Sequence, residues 1–133
     1  MNRFIIDTHI FLWLIFDPDK IEKSKLDILK KPKNKIYVTS ITFWEISLKY
    51  SLGKLELDGF TPDELPLLAD KMGIDTMQID IDTFASFYKL PKDDSHKDPF
   101  DRIIIWKCID EKISLISKDR KFPEYEKYDL KVV

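Results

Sequence analysis

What most constrains this chain is an alternation of two kinds of segment. Short runs rich in Ile, Val, Phe and Tyr recur at Arg3–Asp7 ("RFIID"), Lys35–Ser40 ("KIYVTS"), Ile74–Ile81 and Ile113–Ser117 ("ISLIS"), with helix-patterned stretches between them. β-branched and aromatic runs of this length suit strands. Strands separated by helices of about 10 to 15 residues pair in parallel, with helices covering both faces of the sheet. The expected fold is therefore an α/β three-layer sandwich around a mostly parallel central sheet of four to five strands, with "DLKVV" at 129–133 as the last. No repeat or Gly/Ser linker appears, and three glycines in 133 residues leave little room for a hinge, so 1–133 reads as a single domain.

Punctuation residues place the helices. Thr8–Phe16 continues as a bulky apolar helix stopped by Asp17 and Pro18, and a second runs from about Ile21 to Lys31, with Ile21, Leu26, Ile28 and Leu29 inward, ended by Pro32. From Ser40, read as an N-cap, the spacing of Ile41, Trp44, Leu48 and Leu52 predicts an inward apolar face, with Gly53 closing the helix. Thr61, Pro62 and Glu64 have capping-box spacing and open a helix to about Met72, ended by Gly73. Another helix is expected from about Asp82 to Tyr88, one from Asp98 to about Lys112, and a short turn or helix over Arg120–Tyr125. In "HKDPFDRIII", Asp98 as N-cap puts Pro99 at the first helical position and Asp101 at the third.

Composition excludes several classes. Apolar residues at 44% are too many for a disordered chain, and a net charge of −2 argues against a general nucleic-acid coating protein. Two local basic groups stand out against that balance, Lys30, Lys31, Lys33 and Lys35, then Lys118, Arg120 and Lys121; they read either as ordinary solvated side chains or as a basic rim around an acidic centre. The single cysteine, Cys108, lies among Ile105, Trp106 and Ile109 and reads as a small buried hydrophobe in a reducing cytoplasm. Asp7 and His9 interrupt the N-terminal apolar run, so neither a signal peptide nor a membrane span is expected.

Chemistry in a parallel α/β sheet belongs at the carboxyl ends of the strands. Asp7 closes the first strand there, Glu45 lies one turn into the helix after the second, Asp119 lies just beyond the fourth, and Asp98 and Asp101 begin the helix that precedes it. Asp7 is the least ordinary of these, because a carboxylate inside "FIIDTHIFLWLIF" costs several kcal/mol to bury without a partner; the bland alternative is a cap on the following helix. Carboxylates gathered at one edge raise one another's pKa unless a cation intervenes. Oxygen-only donors suit Mg²⁺ or Mn²⁺. No Cys/His set for zinc is present, and His9 and His96 read as hydrogen-bonding or packing residues. Neither a Ser-His-Asp arrangement, a Walker loop nor a GxGxxG fingerprint competes.

Taken together, "IIDTHIFLWLI" (5–15), "YVTSITFWEISLKYSLGKLEL" (37–57) and "HKDPFDRIIIWKCIDEKISLISKDRKF" (96–122) resemble a PIN-domain protein, specifically a VapC-like toxin ribonuclease, in order and over nearly the whole chain. The resemblance implies a Mg²⁺- or Mn²⁺-dependent endoribonuclease, the toxin of a toxin–antitoxin pair, inhibited by a cognate antitoxin and usually a homodimer. By motif its four acids are Asp7, Glu45, Asp101 and Asp119: Asp7 and Asp101 as principal metal ligands, Glu45 and Asp119 holding metal-bound waters or a second ion. Asp98 is an additional acid and the expected cap. Thr8 and Ser117 match small hydroxyl positions that orient water, and Arg102 is a candidate to steady a carboxylate or a phosphate.

Three rivals compete with that resemblance. A receiver-like phosphoacceptor needs an acidic pair at the first strand end and an acceptor Asp ending a middle strand; here Asp7 stands alone and Tyr37–Ser40 ends without an acid. A catalytically inactive PIN binding module would have lost its acids, and all four are present. A structure-specific DNase needs an arch or clamp for duplex, for which the chain has no segment.

Overall fold

The structure, a computed structural model, describes residues 2–118 and 122–133, and of 122–124 the backbone alone. Four strands form, β1 (Asn2–Ile6), β2 (Asn34–Thr39), β3 (Asp75–Met77) and β4 (Ser114–Ile116), together with helices α1 (Thr8–Phe16), α2 (Lys23–Lys30), α3 (Ser40–Ser51), α4 (Leu65–Lys71), α5 (Ile81–Ser86) and α6 (Pro99–Glu111). The strands make one sheet in the order β3-β2-β1-β4, every pair parallel. Register runs from Asn2↔Asn34 to Ile6↔Val38 on one side of β1 and from Phe4↔Ser114 to Ile6↔Ile116 on the other. This is the expected α/β sandwich with a parallel sheet.

The period-2 alternation of strand side chains divides the core in two. Ile6, Ile36, Val38 and Ile116 face one layer and pack with Ile10 and Phe11 of α1, Ile46 of α3, and Leu65 and Ala69 of α4. Ile5 and Leu115 face the other and pack with Ile104, Ile105 and Cys108 of α6 and with Tyr125. A sheet covered on both faces is what all-parallel pairing requires.

Several local expectations change. "DLKVV" is not a strand: it makes one parallel bridge, Leu115↔Val132, flanked by Leu115 N–H to Lys131 C=O at 2.7 Å and Val133 N–H to Leu115 C=O at 2.8 Å. Its partner β4 is only three residues long, and Asp129, at φ 72°, turns the chain just before it. The third strand shrinks to Asp75–Met77 because Asp80 caps α5 through its bond from Thr83 N–H. Ser40 is the first residue of α3 rather than its cap, and its hydroxyl accepts from Ile79 N–H at 3.1 Å.

The apolar face expected on α3 is rotated. Trp44 and Leu52 are each 58% exposed, while Thr42, Glu45 and Ile46 are buried. The helix packs through Ile46 and through Phe43, which meets Phe11 edge to face at 5.5 Å; its buried Thr42 and Glu45 are tolerated because each has a hydrogen-bond partner in Thr8. Gly53, at φ 72°, ends α3 as expected, with Gly53 N–H bonded to Tyr50 C=O and Lys54 N–H to Lys49 C=O, the two bonds of a Schellman cap.

Strand order positions the site. β1, β2 and β3 step in one direction, and the chain then returns to the opposite side of β1 with β4, so connections diverge at the carboxyl ends of β1 and β4. Ligand crevices in open α/β sheets form at such a switch point. Among the described residues no helix is long and apolar enough to cross a membrane.

Candidate active site

Asp7 leaves β1 at the switch point and is 2% exposed. It is the N-cap of α1, with Oδ1 accepting Ile10 N–H at 2.8 Å, and Oδ2 accepts the Ser117 hydroxyl at 2.6 Å. Its own N–H donates to Ile116 C=O at 3.1 Å, tying the ends of β1 and β4 together, and Lys25 Nζ of α2 donates to Ser117 C=O at 2.6 Å. Capping and site membership are thus compatible: each carboxylate oxygen has a second lone-pair site beyond the bond it accepts.

Glu45, also 2% exposed, comes in from α3. Thr8 donates to its Oε1 at 2.7 Å and Lys49 Nζ to its Oε2 at 2.5 Å, while the Thr8 hydroxyl also meets that of Thr42 at 3.0 Å. Burial alone would lower the Lys49 pKa, but the bond and charge of Glu45, followed by the charges of Asp98 and Asp101, raise it. Lys49 therefore stands as a cation facing three acids.

Asp98 is the N-cap of α6, accepting Phe100 N–H at 2.9 Å and Asp101 N–H at 3.4 Å, with Pro99 at the first helical position as expected. Asp101, one turn in, meets His96 Nε2 at 3.3 Å, and the other ring nitrogen of His96 meets the Tyr125 hydroxyl at 3.0 Å. The Asp101 carboxyl is pushed up to about 6, by burial first, then by the charge of Asp98, with Glu45 and Asp7 adding to it and the His96 bond opposing. Acids from β1, α3 and α6 thus feel one another's charge. Burial, then the Lys118 charge, hold His9 below its ordinary value against the pull of Asp101 and Glu45.

The Thr8 and Ser117 hydroxyls lie against the acids, Thr8 donating to Glu45 and Ser117 to Asp7. Arg102 reaches no acid among the described residues. Its guanidinium donates to Leu90 C=O and Pro91 C=O at 3.3 and 2.9 Å and to the Tyr125 hydroxyl at 3.3 Å, and lies over the rings of Phe87 and Tyr125, so it buttresses the layer under α6. Lys30–Lys35 precede or open β2, at the amino ends of the strands and about 20 Å from the acids along a six-residue strand; Lys35 pairs with Asp75 there. They form no rim on the site, whereas Lys118 comes after β4 and does border it. Asp119, Arg120 and Lys121 lie outside the described residues.

Sequence reasoning missed Lys49, although its position four residues after Glu45 on a helix was the available signal. It also missed the contact of His96 with Asp101 and the buried Thr39 hydroxyl. That hydroxyl has no hydrogen-bond partner among the described residues, and Thr39 is the residue next in register to Asp7.

Among the described residues no group of three or more His, Cys, Asp or Glu is arranged to hold a metal ion. The donor chemistry nevertheless fits a hydrated Mg²⁺ or Mn²⁺, which takes one or two protein carboxylates and keeps several waters rather than needing a closed cage. The acids are oxygen-only, burial and then the charge of Asp98 hold the Asp101 carboxyl up, and the Thr39 hydroxyl, without a hydrogen-bond partner among the described residues, leaves a polar atom for a bound water.

A PIN-domain family model matches residues 4–128. The chain belongs to the PIN-domain family. Solved structures of similar fold include VapBC2 of Rickettsia felis bound to a promoter DNA fragment (TM-score 0.69, 15% identity, 98% of this chain and 97% of that one) and VapBC-1 of nontypeable Haemophilus influenzae (0.67, 16%, 98% and 96%). DNA-bound VapBC of Salmonella typhimurium is a third (0.64, 15%, 100% and 98%). At these identities the likeness is one of fold. No curated protein matches the sequence. In this PIN domain the acids expected by motif within the described residues, Asp7, Glu45 and Asp101, do gather at one end of the sheet.

Proposed function

We propose that this PIN domain is a metal-dependent endoribonuclease, the toxin of a toxin–antitoxin pair acting in the cytoplasm, hydrolysing RNA phosphodiester bonds at Asp7, Glu45, Asp101 and Asp119. The observation that carries the reading is the placement of Asp7 after β1, Glu45 on α3, and Asp98 and Asp101 at the start of α6 around one switch-point crevice, an excess of negative charge where burial and then the charge of Asp98 push the Asp101 carboxyl up. Mg²⁺ or Mn²⁺ would offset that excess, held by Asp7 and Asp101 with Glu45 and Asp119 in support. When bound, such an ion lowers the pKa of water and offsets charge on the phosphate.

The chain's own residues supply orientation. Ile10 N–H and Ser117 fix the rotamer of Asp7, Thr8 and Lys49 fix Glu45, and His96 with Tyr125 behind it fixes Asp101. Lys49 also places one positive charge beside the acids, which lessens their repulsion and favours approach of a phosphate. No protein nucleophile is required.

The structural neighbours are VapBC complexes, which supports a cognate antitoxin as partner. The homodimer has support in an apolar face beside α3, α5 and α6, where the exposed Trp44 and Phe84 line a groove of about 270 Å³ and Ile81 and Tyr88, on and just after α5, are also exposed. The deciding experiment is cleavage of mixed RNAs by purified protein with Mg²⁺, Mn²⁺ or EDTA, beside Asp7→Asn and Asp101→Asn. Activity is expected with metal and lost in both variants. Cleavage in EDTA, or full activity in folded Asp101→Asn, overturns the mechanism; no cleavage by a folded, metal-supplied wild type leaves the inactive binding module.

A further inference from the structure

A second cleft opens beside the acids. It has a volume of about 490 Å³ and begins at Thr8, Glu45 and Lys49, then extends along α1 past His9, Trp13 and Phe16 to the loop after α3. That volume lies in the range of small-molecule sites, roughly 300 to 1,000 Å³. Three properties distinguish it from an ordinary crevice.

Its wall is aromatic. The half-buried Trp13 and the exposed His9 stand edge to face, 6.4 Å between centroids at 61°, on successive turns of α1. It is also flanked by cations: Lys118 Nζ sits 5.4 Å from the Trp13 ring centroid, and neither it nor Lys54 has an ion-pair partner among the described residues. Asp17 in its lining is paired with Lys20, and its far end carries the exposed Glu56 and Asp58, which repel phosphate and accept hydrogen bonds from amino groups. The gradient therefore favours phosphate beside Lys49 and Lys118, and an uncharged hydrogen-bond donor at the exposed Glu56–Asp58 end.

We infer that this cleft seats an unstacked nucleobase of the RNA, next to the scissile phosphate and stacked on Trp13, with its exocyclic amino groups directed to the Glu56–Asp58 end. The inference rests on the ribonuclease reading and adds to it a specificity site. Every base has a face that stacks on an aromatic ring, and single-stranded RNA is read by splaying bases onto such rings. The acidic end then selects among bases by their donors, as carboxylates do with amino groups.

The test is equilibrium binding of a labelled single-stranded hexaribonucleotide in EDTA, where no cleavage intervenes, to wild type, Trp13→Phe and Trp13→Leu, with folding checked by circular dichroism. Trp13→Leu should weaken binding about tenfold and Trp13→Phe about twofold or less. Removing the base at one RNA position should weaken wild-type binding by a similar factor and leave Trp13→Leu binding unchanged. Equal RNA affinity of folded Trp13→Leu and wild type overturns the inference, as does an abasic penalty of the same size in both, and the cleft then serves another occupant, such as a protein segment. If wild type cleaves RNA while Trp13 is inert, only this inference falls; if wild type neither binds nor cleaves RNA, the ribonuclease reading falls with it.

Discussion

Replacing Asp101 with Asn should stabilise the metal-free protein while removing its activity. Asp101 is 15% exposed in its side chain and its carboxyl is held at about 6 instead of the ordinary 3.8, by burial and then by Asp98, Glu45 and Asp7. A displacement of that size penalises the charged form by about 3 kcal/mol at neutral pH. Asn is uncharged and keeps an oxygen for His96, so the gain should be about 1–3 kcal/mol, or several degrees in Tm for a domain of this size. Proton counting sets the sign. Between about pH 4 and 6 the folded state holds a proton that the unfolded state has released, so wild-type stability declines as pH rises through that window. The difference between variant and wild type is therefore fully developed at pH 7 and vanishes near pH 4. Urea unfolding of both proteins in EDTA at the two pH values measures it. An Asn variant that is less stable than wild type at pH 7, or a difference that does not change with pH, refutes the electrostatic reasoning. Added Mg²⁺ should stabilise the wild type more than the variant.

Asp98 should behave differently from its neighbour: Asp98→Asn keeps the cap and most of the cleavage activity, whereas Asp98→Ala costs about 1 kcal/mol in thermal unfolding. Loss of cleavage in a stable Asp98→Asn protein would make it a ligand. Arg102→Met should destabilise by about 2–4 kcal/mol, because two backbone carbonyls and the Tyr125 hydroxyl lose a charged donor, while kcat per folded molecule is unchanged; a selective fall in kcat would restore Arg102 to the site. Lys49→Met should cost about 1–2 kcal/mol in urea unfolding by leaving the buried Glu45 with Thr8 alone, and the double variant Lys49→Met, Glu45→Leu should recover most of it. Additive losses in that pair would show that the two side chains are not coupled.

The layers of this fold were legible because its strands and helices differ in period and because Pro18, Pro32, Gly53 and Gly73 mark the breaks between them. Helix α1 and the Asp98 cap emerge as expected from local chemistry alone. The face of α3 was not legible, since its buried side includes Thr42 and Glu45, polar residues whose burial depends on Thr8 and Lys49 supplying partners. A pattern of apolar residues cannot register such a face. Likewise Arg102, read near the acids from its place beside Asp101, turns to Leu90 and Pro91, because adjacent helix positions point about 100° apart. The lysines at 30–35 were displaced for a topological reason: in an all-parallel sheet, a residue entering a strand sits a full strand's length from a residue leaving one.

The pairing of β1 with β4 brings together Asp7 and Ser117, which are 110 residues apart along the chain. At roughly 5 to 20 residues per second of synthesis, β1 therefore precedes its β4 neighbour by about 5 to 20 s. During that interval β2 can already zip onto one edge of β1, yet the carboxylate at its end lacks the Ser117 hydroxyl that orients it, and Asp101 has only just been made. If Asp7 and Asp101 carry the chemistry proposed above, a chain assembled this way has no complete site until β4 has been made and paired with β1.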